Sequence, residues 1–314
     1  MRVLVVTNLV PDENAPQRGR WVRDQVVEVR ARGVEVEEFG FPRGRSNYLP
    51  ATRRLRALLR RERYDLVHAH YGLAGWVARA AGARPLLVTF HGTDVRHPIV
   101  GPLSRGLAWR ADLVAAVSRG LFAEEDGRPG LPAVPGSAVL PCGPELGRFA
   151  PAPRAAARAA LGLGPEGRYL FFPANPARPE KRGDRAAALA EATGATLLTG
   201  GSIEPEQMST WMNAADAVLV TSDYEGFGMA AIEALACDVP VLSTPVGVAP
   251  YLLAGIAGCL CAPFDLRRWA AVARPHLDTE DPRVAGAARA ATLAAGPMAE
   301  RVIEVYRQMT GGRV

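Results

Sequence analysis

Residues 217–243 read AVLVTSDYEGFGMAAIEALACDVPVLS, and this stretch decides the fold. The four apolar residues at 217–220 predict a buried strand, and residues 239–243 predict another. The alanine-rich segment between them follows two glycines and predicts a helix that ends near residue 237. Two short apolar strands joined through a helix are typical of a parallel sheet covered by helices, so the stretch predicts an α/β fold.

The same alternation of strand and helix extends toward both ends of the chain. Predicted strands lie at 2–7, 34–39, 66–69, 86–90, 113–117, 138–140, 169–172, 195–199 and 259–261, and predicted helices include 21–32, 182–193, 205–214 and 298–309. The 314 residues exceed the ~100–200 of a single domain, and a proline-punctuated segment at 141–153 separates the two series. We therefore predict Rossmann-like domains at 1–149 and 150–297 and a C-terminal helix at 298–314, with packing against the first domain as one arrangement.

The composition is that of an ordinary globular protein, with 48% hydrophobic and 22% charged residues. No apolar run reaches the ~18–20 residues of a membrane span, and the chain begins with a strand pattern instead of a signal peptide. We therefore expect a cytoplasmic protein. The cysteines lack paired CxxC spacing, so we expect them to be reduced; they are Cys142, Cys237, Cys259 and Cys261.

Positive charge is concentrated in the first half of the chain. Residues 1–150 hold 22 Arg against 15 acidic residues, whereas residues 151–314 hold 15 basic against 17 acidic residues. Six arginines between Arg53 and Arg63 surround three leucines at helical spacing, which predicts an amphipathic helix. Two hypotheses remain open for this helix, a solvated face or contact with anionic lipid on the cytoplasmic face of a membrane. Nucleic acid is not an expected partner, because aromatic residues are not interleaved with the basic ones.

In open parallel sheets, ligands bind beyond the carboxyl ends of the strands, so the loops that follow the strands are the candidate sites. The first loop ends in Gly19 and Arg20 at a helix start, where backbone N–H groups and the helix dipole favour a phosphate. His68 and His70 end the third strand, and we expect them to line a site or pack in the core, because no third metal ligand is apparent. His91, in TFHGTD after the fourth strand, is placed to touch a substrate.

The second half offers the loop ANPARPEKRGD, which begins after the strand at 169–172 and contains Asn175, Arg178 and Lys181. Lys181 is the only lysine in the chain, beside 36 arginines. A lysine is a compact point charge that suits a phosphate. We therefore predict that Lys181, with Arg178 and Arg182, holds a diphosphate at the start of the helix 182–193, although a solvated basic loop is the alternative.

The most specific signal is EGFGMAAIE at 225–233. Glu225 lies just before the predicted helix and Glu233 lies inside it, with Gly226, Phe227 and Gly228 between them. Such a helix start offers backbone N–H groups to an anion or a hydroxyl, and the two carboxylates accept hydrogen bonds from hydroxyls. Asp223 and Glu225 resemble a DxD metal pair, but the glycine-rich helix start indicates polyol binding, and no metal site is predicted.

Together these residues resemble the family 4 glycosyltransferases, retaining enzymes of the GT-B fold, in which two Rossmann-like domains face each other across a cleft. The resemblance rests on the first loop, TFHGTD, AVSRGL, LPCGPELGRFAP, Lys181, EGFGMAAIE and PVLSTPVGVAP, in that order along the chain. It implies a hexosyltransferase-like enzyme of polysaccharide biosynthesis that uses a UDP- or GDP-sugar, a glycan, lipid-linked or small-molecule acceptor, and no cofactor or metal.

The resemblance also implies a role for each candidate residue. Gly19, with Arg20, would meet the donor phosphate, and His91 would lie beside the transferred sugar. Lys181 and an arginine, here Arg178, would neutralise the leaving diphosphate. The rest of the donor site would be Asn175, Glu225 with Gly226 and the N–H groups of Phe227, Gly228 and Met229 on the sugar, and Glu233 on the ribose.

The chain departs from the family pattern at three places. The usual arginine position is Pro176, Cys142 and Gly143 replace the common Asn-Gly, and the segment between Lys181 and Glu225 is short, which suggests that a strand and a helix are missing. Two alternatives follow, a nucleotide-sugar epimerase or phosphorylase of the same fold and a catalytically degenerate nucleotide-sugar binding protein.

Overall fold

The computed structural model describes residues 1–11, 18–124, 129–141 and 143–312. The chain forms two compact units, one made of Met1–Gly143 with Ala295–Val314 and the other of Pro144–Ala294. Residues 12–17 of the first predicted loop and Cys142 lie outside the described residues.

The first unit is a parallel sheet covered by helices. Its elements are β1 (Arg2–Thr7), α1 (Arg20–Ala31), β2 (Glu35–Gly40), α2 (Arg45–Arg61), β3 (Leu66–His70), α3 (Gly72–Ala81), β4 (Leu86–Phe90), α4 (Thr93–Arg96), α5 (Val100–Ala108), β5 (Leu113–Ala116) and β6 (Ala138–Val139).

The second unit repeats this design with a smaller sheet. Its elements are α6 (Arg154–Ala160), β7 (Tyr169–Phe172), α7 (Gly183–Thr193), β8 (Thr196–Thr199), α8 (Met208–Ala214), β9 (Ala217–Val220), α9 (Met229–Ala236), β10 (Val241–Ser243), α10 (Ala249–Leu252), β11 (Leu260–Cys261), α11 (Leu266–Leu277) and α12 (Ala287–Ala291). The final helix, α13 (Ala295–Met309), belongs to the first unit.

Within the described residues the five strands of the second sheet follow the same order as the first five strands of the first sheet. The first runs β2-β1-β3-β4-β5-β6, and the second, read from its other edge, runs β8-β7-β9-β10-β11. In each sheet the chain moves to one side of its first strand and then to the other. Ligands bind at such a switch point, because the loops from the two adjacent strands diverge there. The order points to the loops after β1 and β3 and to those after β7 and β9.

The core of the first unit fixes the positions of α1 and α13. Val3 and Val5 of β1 lie in one buried cluster with Val26 of α1 and with Val302 and Tyr306 of α13. A parallel sheet needs helices over both faces to bury its apolar side chains. The C-terminal helix therefore completes one covering layer of the first sheet.

The segment after Gly143 lies with the second unit, whereas the sequence predicts the boundary near residue 149. The Asn213 side chain accepts a hydrogen bond from Ala152 N at 2.9 Å and donates one to Ala150 O at 3.0 Å. These bonds hold the proline-punctuated segment against α8. The predicted linker is therefore an ordered part of the second unit.

Among the described residues, no helix combines the length and the apolar character that crossing a membrane requires. Cys237, Cys259 and Cys261 are free thiols in the structure.

Candidate active site

The switch point of the second sheet brings two predicted loops together. Lys181 lies in the loop after β7, and Glu225 lies in the loop after β9. Asp223 N donates to Glu180 O at 2.9 Å, and the Thr221 hydroxyl donates to Lys181 O at 3.0 Å. The two loops are therefore joined through their backbones, which limits the freedom of the side chains that they carry.

Lys181 and Glu225 form an ion pair. The Lys181 Nζ atom lies 2.6 Å from each carboxylate oxygen of Glu225, and both side chains are 15% exposed. The Ser222 hydroxyl donates a third hydrogen bond, 2.7 Å long, to Glu225 Oε1. An ammonium group has three N–H donors and a carboxylate has about four acceptor positions. Within the described residues the pair thus keeps one N–H of Lys181 and one acceptor position of Glu225 for a ligand.

The glycine-bearing segment follows Glu225 directly and starts α9. Gly228 has φ +98°, a conformation that glycine adopts without strain, and the chain turns there into the helix. Phe227 is buried, and its carbonyl accepts a hydrogen bond from Val248 N at 2.8 Å. The amides of Phe227, Gly228 and Met229 donate no hydrogen bond to any described residue. These three N–H groups are available to an anion or to sugar hydroxyls.

Two further residues of this unit, Glu233 and Asn175, are predicted to bind the sugar donor. Glu233 lies half-buried within α9. Asn175 follows β7, and its side-chain oxygen accepts a hydrogen bond from Ala177 N at 2.8 Å. Gly201 packs against the Cα atom of Asn175 so closely that a Cβ there would lie 2.9 Å away. Asn175 thus shapes the loop that leads to Lys181.

The arginines near Lys181 are engaged with carboxylates. Arg178 is half-exposed and binds Glu180 through its Nε atom at 2.9 Å. Arg182, with φ +53°, binds Asp184 at 2.7 Å and Asp223 at 3.2 Å. A ligand diphosphate would therefore have to draw Arg178 away from Glu180.

In the first unit, Gly19 immediately precedes α1. It has φ +69°, and its carbonyl accepts hydrogen bonds from Val22 N at 3.0 Å and Arg23 N at 3.2 Å. A Cβ atom on Gly19 would lie 2.0 Å from Leu9 O. Arg20 is the first residue of the helix and is half-buried. The site requires glycine on steric grounds, whatever the ligand.

Three histidines lie side by side at the carboxyl ends of β3 and β4. His70 Nδ1 lies 3.1 Å from His91 Nε2, and the His68 and His70 rings have centroids 4.1 Å apart. His68 is bonded to Tyr306 Oη at 2.7 Å and to Thr89 Oγ1 at 2.8 Å. Burial lowers the pKa of all three groups, that of His68 to about 3. The rings are therefore neutral near pH 7, and His68 is a core residue.

Asp94, the carboxylate of TFHGTD, has a structural role that the sequence alone did not assign to it. Its buried carboxylate accepts hydrogen bonds from His91 N at 2.9 Å, Gly92 N at 3.0 Å and Gly72 N at 2.9 Å. Burial raises its pKa to about 6, although the backbone hydrogen bonds lower it. Asp94 holds the loops after β3 and β4 together, and its place two residues after the glycine of TFHGTD is the sequence signal for this.

Ser222 was missed for a different reason. It lies three residues before Glu225 and is buried, but serine is common in loops, and nothing in the sequence indicates that its hydroxyl faces a carboxylate. Within the described ranges, no group of three or more His, Cys, Asp or Glu side chains could hold a metal ion. Neither His68 and His70 nor Asp223 and Glu225 belong to such a group.

Two family models match the chain. The model described as Glycosyltransferase Family 4 matches residues 1–124, and the model described as Glycosyl transferases group 1 matches residues 175–278. The first match falls in the first unit and the second in the second unit.

Curated relatives include several D-inositol 3-phosphate glycosyltransferases. The protein from Thermobispora bispora is 29% identical, over 87% of this chain and 77% of the relative. One from Catenulispora acidiphila is 30% identical, over 80% of this chain and 74% of the relative. For a third, from Segniliparus rotundus, the match spans 57% of the relative's length at 31% identity.

Solved structures share the fold along the whole chain. Sucrose-phosphate synthase from Thermosynechococcus elongatus superposes with a TM-score of 0.72 at 20% identity, over 99% of both chains. HepE from Anabaena, solved with UDP and glucose, has a TM-score of 0.66 at 17% identity, over 99% of this chain and 98% of that chain. The architecture is that of the GT-B glycosyltransferases. The chain belongs to glycosyltransferase family 4 and is a glycosyltransferase.

Proposed function

We propose that this glycosyltransferase moves a sugar from a nucleoside diphosphate to an acceptor hydroxyl with retention of anomeric configuration, and that its second unit binds the donor. The observation that supports this most is the contact between Lys181 and Glu225 directly before the glycine-bearing start of α9. One ammonium group, one carboxylate and three free amides match the anionic and the polyhydroxylated parts of such a donor.

The proposed chemistry depends on charge neutralisation. The bond from the sugar C1 to the diphosphate oxygen breaks, and its electron pair leaves with the diphosphate. The acceptor oxygen bonds to C1 from the same face, and its proton passes to an oxygen of the departing phosphate. Fixed cations and amides next to the phosphate stabilise the charge that develops, which is the largest catalytic term in reactions of this kind. Lys181 supplies that charge, with Arg178 once it leaves Glu180.

The first unit supplies the remaining proposed contacts. Gly19 and Arg20 meet the donor phosphate at the start of α1, and His91 lies beside the transferred sugar. This is supported by the place of these residues after β1 and β4, at the carboxyl edge of the first sheet. The proposed reaction uses no metal, so activity is expected to survive EDTA. Loss of activity with EDTA and its return with Mg²⁺ would contradict that part.

The donor and the acceptor follow from chemistry and from the names of related proteins. We propose a UDP- or GDP-sugar, and the UDP-glucose complex of HepE favours UDP for the first trials. We propose a hydroxyl of a glycan, a lipid-linked saccharide or a small molecule as acceptor. The curated relatives are named for D-inositol 3-phosphate, which makes a phosphorylated cyclitol the first acceptor to test.

The test compares Lys181→Met and Glu225→Gln, which remove charge with little change in shape. Each is expected to lower kcat/KM by about a hundredfold or more, as removal of a group aimed at developing charge does. Arg168→Met is the control, since Arg168 pairs with Asp278 on the exposed surface of the same unit. Near-normal turnover by both active-site variants would overturn the proposal.

Removing one partner of a part-buried ion pair also costs stability. The double variant Lys181→Met/Glu225→Gln leaves no unpaired charge, so it should recover stability without recovering activity. The anomeric proton of the product, observed by NMR, tests retention. Incubation of the donor alone in the same assay tests the epimerase alternative, which requires interconversion without an acceptor.

We also propose contact between α2 and anionic lipid on the cytoplasmic face of a membrane. The arginines of its second half are exposed, whereas Leu55 is fully buried in the fold. Because the apolar face is committed to the core, the contact would be electrostatic and weakened by salt. Sedimentation with vesicles containing phosphatidylserine should show binding at low salt that is lost at high salt. No binding at low salt would contradict it.

A further inference from the structure

His70 contacts His91 through a hydrogen bond between two ring nitrogens. The His70 side chain is fully buried, and its Nδ1 atom lies 3.1 Å from His91 Nε2. The other nitrogen of His70, Nε2, has no hydrogen-bond partner among the described residues. The contact with His91 is therefore the polar interaction that this buried ring makes in the described structure.

A hydrogen bond between two neutral imidazoles couples their tautomers. Each neutral ring carries one N–H and one acceptor nitrogen, so one ring donates and the other accepts. If His91 donates from Nε2, its Nδ1 is an acceptor. If His70 donates from Nδ1, the Nδ1 atom of His91 carries the proton and is a donor. In either case the state of His70 decides what His91 offers to a ligand.

His70 is itself held in place. It ends β3 and is paired in register with Thr89 of β4. Its ring lies against that of His68, which is fixed by hydrogen bonds to Tyr306 and Thr89. His91, by contrast, is partly exposed and follows the end of β4. The sheet therefore supplies a rigid partner to a histidine on a loop.

We propose that His70 is a positioning residue for His91: the bond from its Nδ1 atom to His91 Nε2 fixes the orientation and tautomer of that ring, so that Nδ1 of His91 faces the transferred sugar. This inference rests on the proposed function, in which His91 touches that sugar. A rigid partner of this kind keeps the contact in the geometry that the reaction needs, and small displacements there are costly.

Asparagine and leucine distinguish positioning from packing at residue 70. Both are smaller than histidine and nearly equal in shape, but the asparagine amide can reach the place of Nδ1, whereas leucine has no polar atom. If His70 only fills space, the two variants should behave alike. If it positions His91, His70→Asn should keep most of the activity and His70→Leu should lose it.

The experiment measures kcat and KM for the wild type, His70→Asn, His70→Leu, His91→Ala and the double variant His70→Leu/His91→Ala. His70→Leu is expected to lower kcat by about tenfold to a hundredfold, whereas His70→Asn stays within about threefold of the wild type. The double variant is expected to be no worse than His91→Ala alone, because the two residues act as one unit. Equal turnover by the asparagine and leucine variants would overturn the inference.

A spectroscopic measurement covers the case in which the leucine variant does not fold. The chain has five histidines, so ¹⁵N shifts can be assigned to single rings. The wild type should show His91 in one neutral tautomer, and His70→Asn should keep that same tautomer. A mixture of His91 tautomers in the wild type would contradict the inference.

The outcomes also separate this inference from the proposed function. If His91→Ala turns over normally, the role given to His91 in the reaction is wrong. If His91→Ala is impaired while His70→Leu behaves as the wild type, only the positioning role of His70 fails.

Discussion

At Gly19 the main chain leaves no room for a side chain. We predict that Gly19→Ala lowers both stability and activity, because a methyl group would collide with Leu9 O and the φ of +69° disfavours it. Gly33→Ala is the control, since Gly33 has φ +85° but open space around it. Chemical denaturation should show a loss of about 1–2 kcal/mol for the control and more for Gly19→Ala. Equal losses would show that the contact with Leu9 is relieved by movement.

Ser222 gives a second prediction at a single residue. We predict that Ser222→Ala raises KM for the donor about threefold to tenfold, because Glu225 loses a hydrogen bond to a charged group worth about 1.5–3 kcal/mol at most. Ser209→Ala, in the same unit, makes only a weak contact with Cys237 and should leave KM unchanged. Steady-state kinetics at fixed acceptor concentration decide it, and an unchanged KM for Ser222→Ala would contradict the account of the site.

Candidate site residues stand out in the sequence where their chemistry marks them. Lys181 stands out as a lone lysine, and Glu225 stands out through the glycines that follow it. Their mutual contact could not be predicted, because 44 residues separate them and only the packing of two loops brings them together. Asp94 and Ser222 act through neighbours in space, which leaves no periodic or compositional signal.

The loops after β3 and β4 are tied by one carboxylate, that of Asp94. We predict that Asp94→Asn lowers kcat and lowers stability by about 1–3 kcal/mol, because the amide presents a donor to a backbone N–H in place of an acceptor. The control is Asp112→Asn, whose carboxylate accepts from Leu86 N at the opposite end of β4. That variant should be less stable but fully active. An active Asp94→Asn enzyme would show that the loops keep their positions without the carboxylate.

Strands could be predicted more sharply than helix starts. The strands Leu86–Phe90, Tyr169–Phe172 and Ala217–Val220 are observed with the predicted limits, because each is a short apolar run buried in a parallel sheet. The predicted helix that begins near Arg53 starts earlier, at Arg45, and contains Pro50. Proline disfavours the helical conformation of the residue that precedes it, so the sequence does not predict that this helix extends to residues before Pro50. Helix α13 begins before Pro297 for the related reason that the first turn tolerates proline.

The five strands of the second sheet and the first five strands of the first sheet share one order, and this could be predicted only in part. The alternation of apolar strands and helices predicts parallel sheets, and local patterns do not say on which side of β1 the next strand lies. The sequence also does not determine that α13 packs in the first unit, because this packing depends on contacts with Val26 and other residues far away in sequence.

Acid should destabilise the first unit through its buried histidines. Burial lowers the pKa of His68 to about 3, and it lowers those of His70 and His91 as well. In the unfolded chain these histidines have the ordinary pKa near 6.5, so they bind protons as the pH falls below that value, whereas the buried histidines of the folded chain stay neutral. The free energy of unfolding therefore decreases as the pH falls from ~6.5 toward the lower pKa values of the folded state. Asp94 acts in the opposite sense, because its pKa is raised to about 6, but it is one group against three.

Urea unfolding between pH 7.5 and pH 4.5 measures this effect. We predict that His68→Gln, although less stable at pH 7.5, loses less stability on acidification than the wild type does. The variant lacks one of the histidines whose pKa is lowered in the folded state. Ser104→Ala, in the same unit, is the control, because it changes a buried side chain that does not titrate, and its pH dependence should follow the wild type. An identical pH dependence in His68→Gln and the wild type would contradict the assignment of these lowered pKa values.

The central claim is that Lys181, paired with Glu225 next to the glycine-bearing helix start, holds the diphosphate of a nucleotide-sugar. Calorimetric titration of the whole protein with UDP, GDP and ADP tests it most directly. We predict saturable binding of one molecule of UDP or GDP per chain, weakened at least about tenfold in Lys181→Met, since loss of one phosphate cation costs ~1.4 kcal/mol or more. Binding that is unchanged in Lys181→Met, or no binding of any of the three nucleotides to the wild type, would contradict the claim.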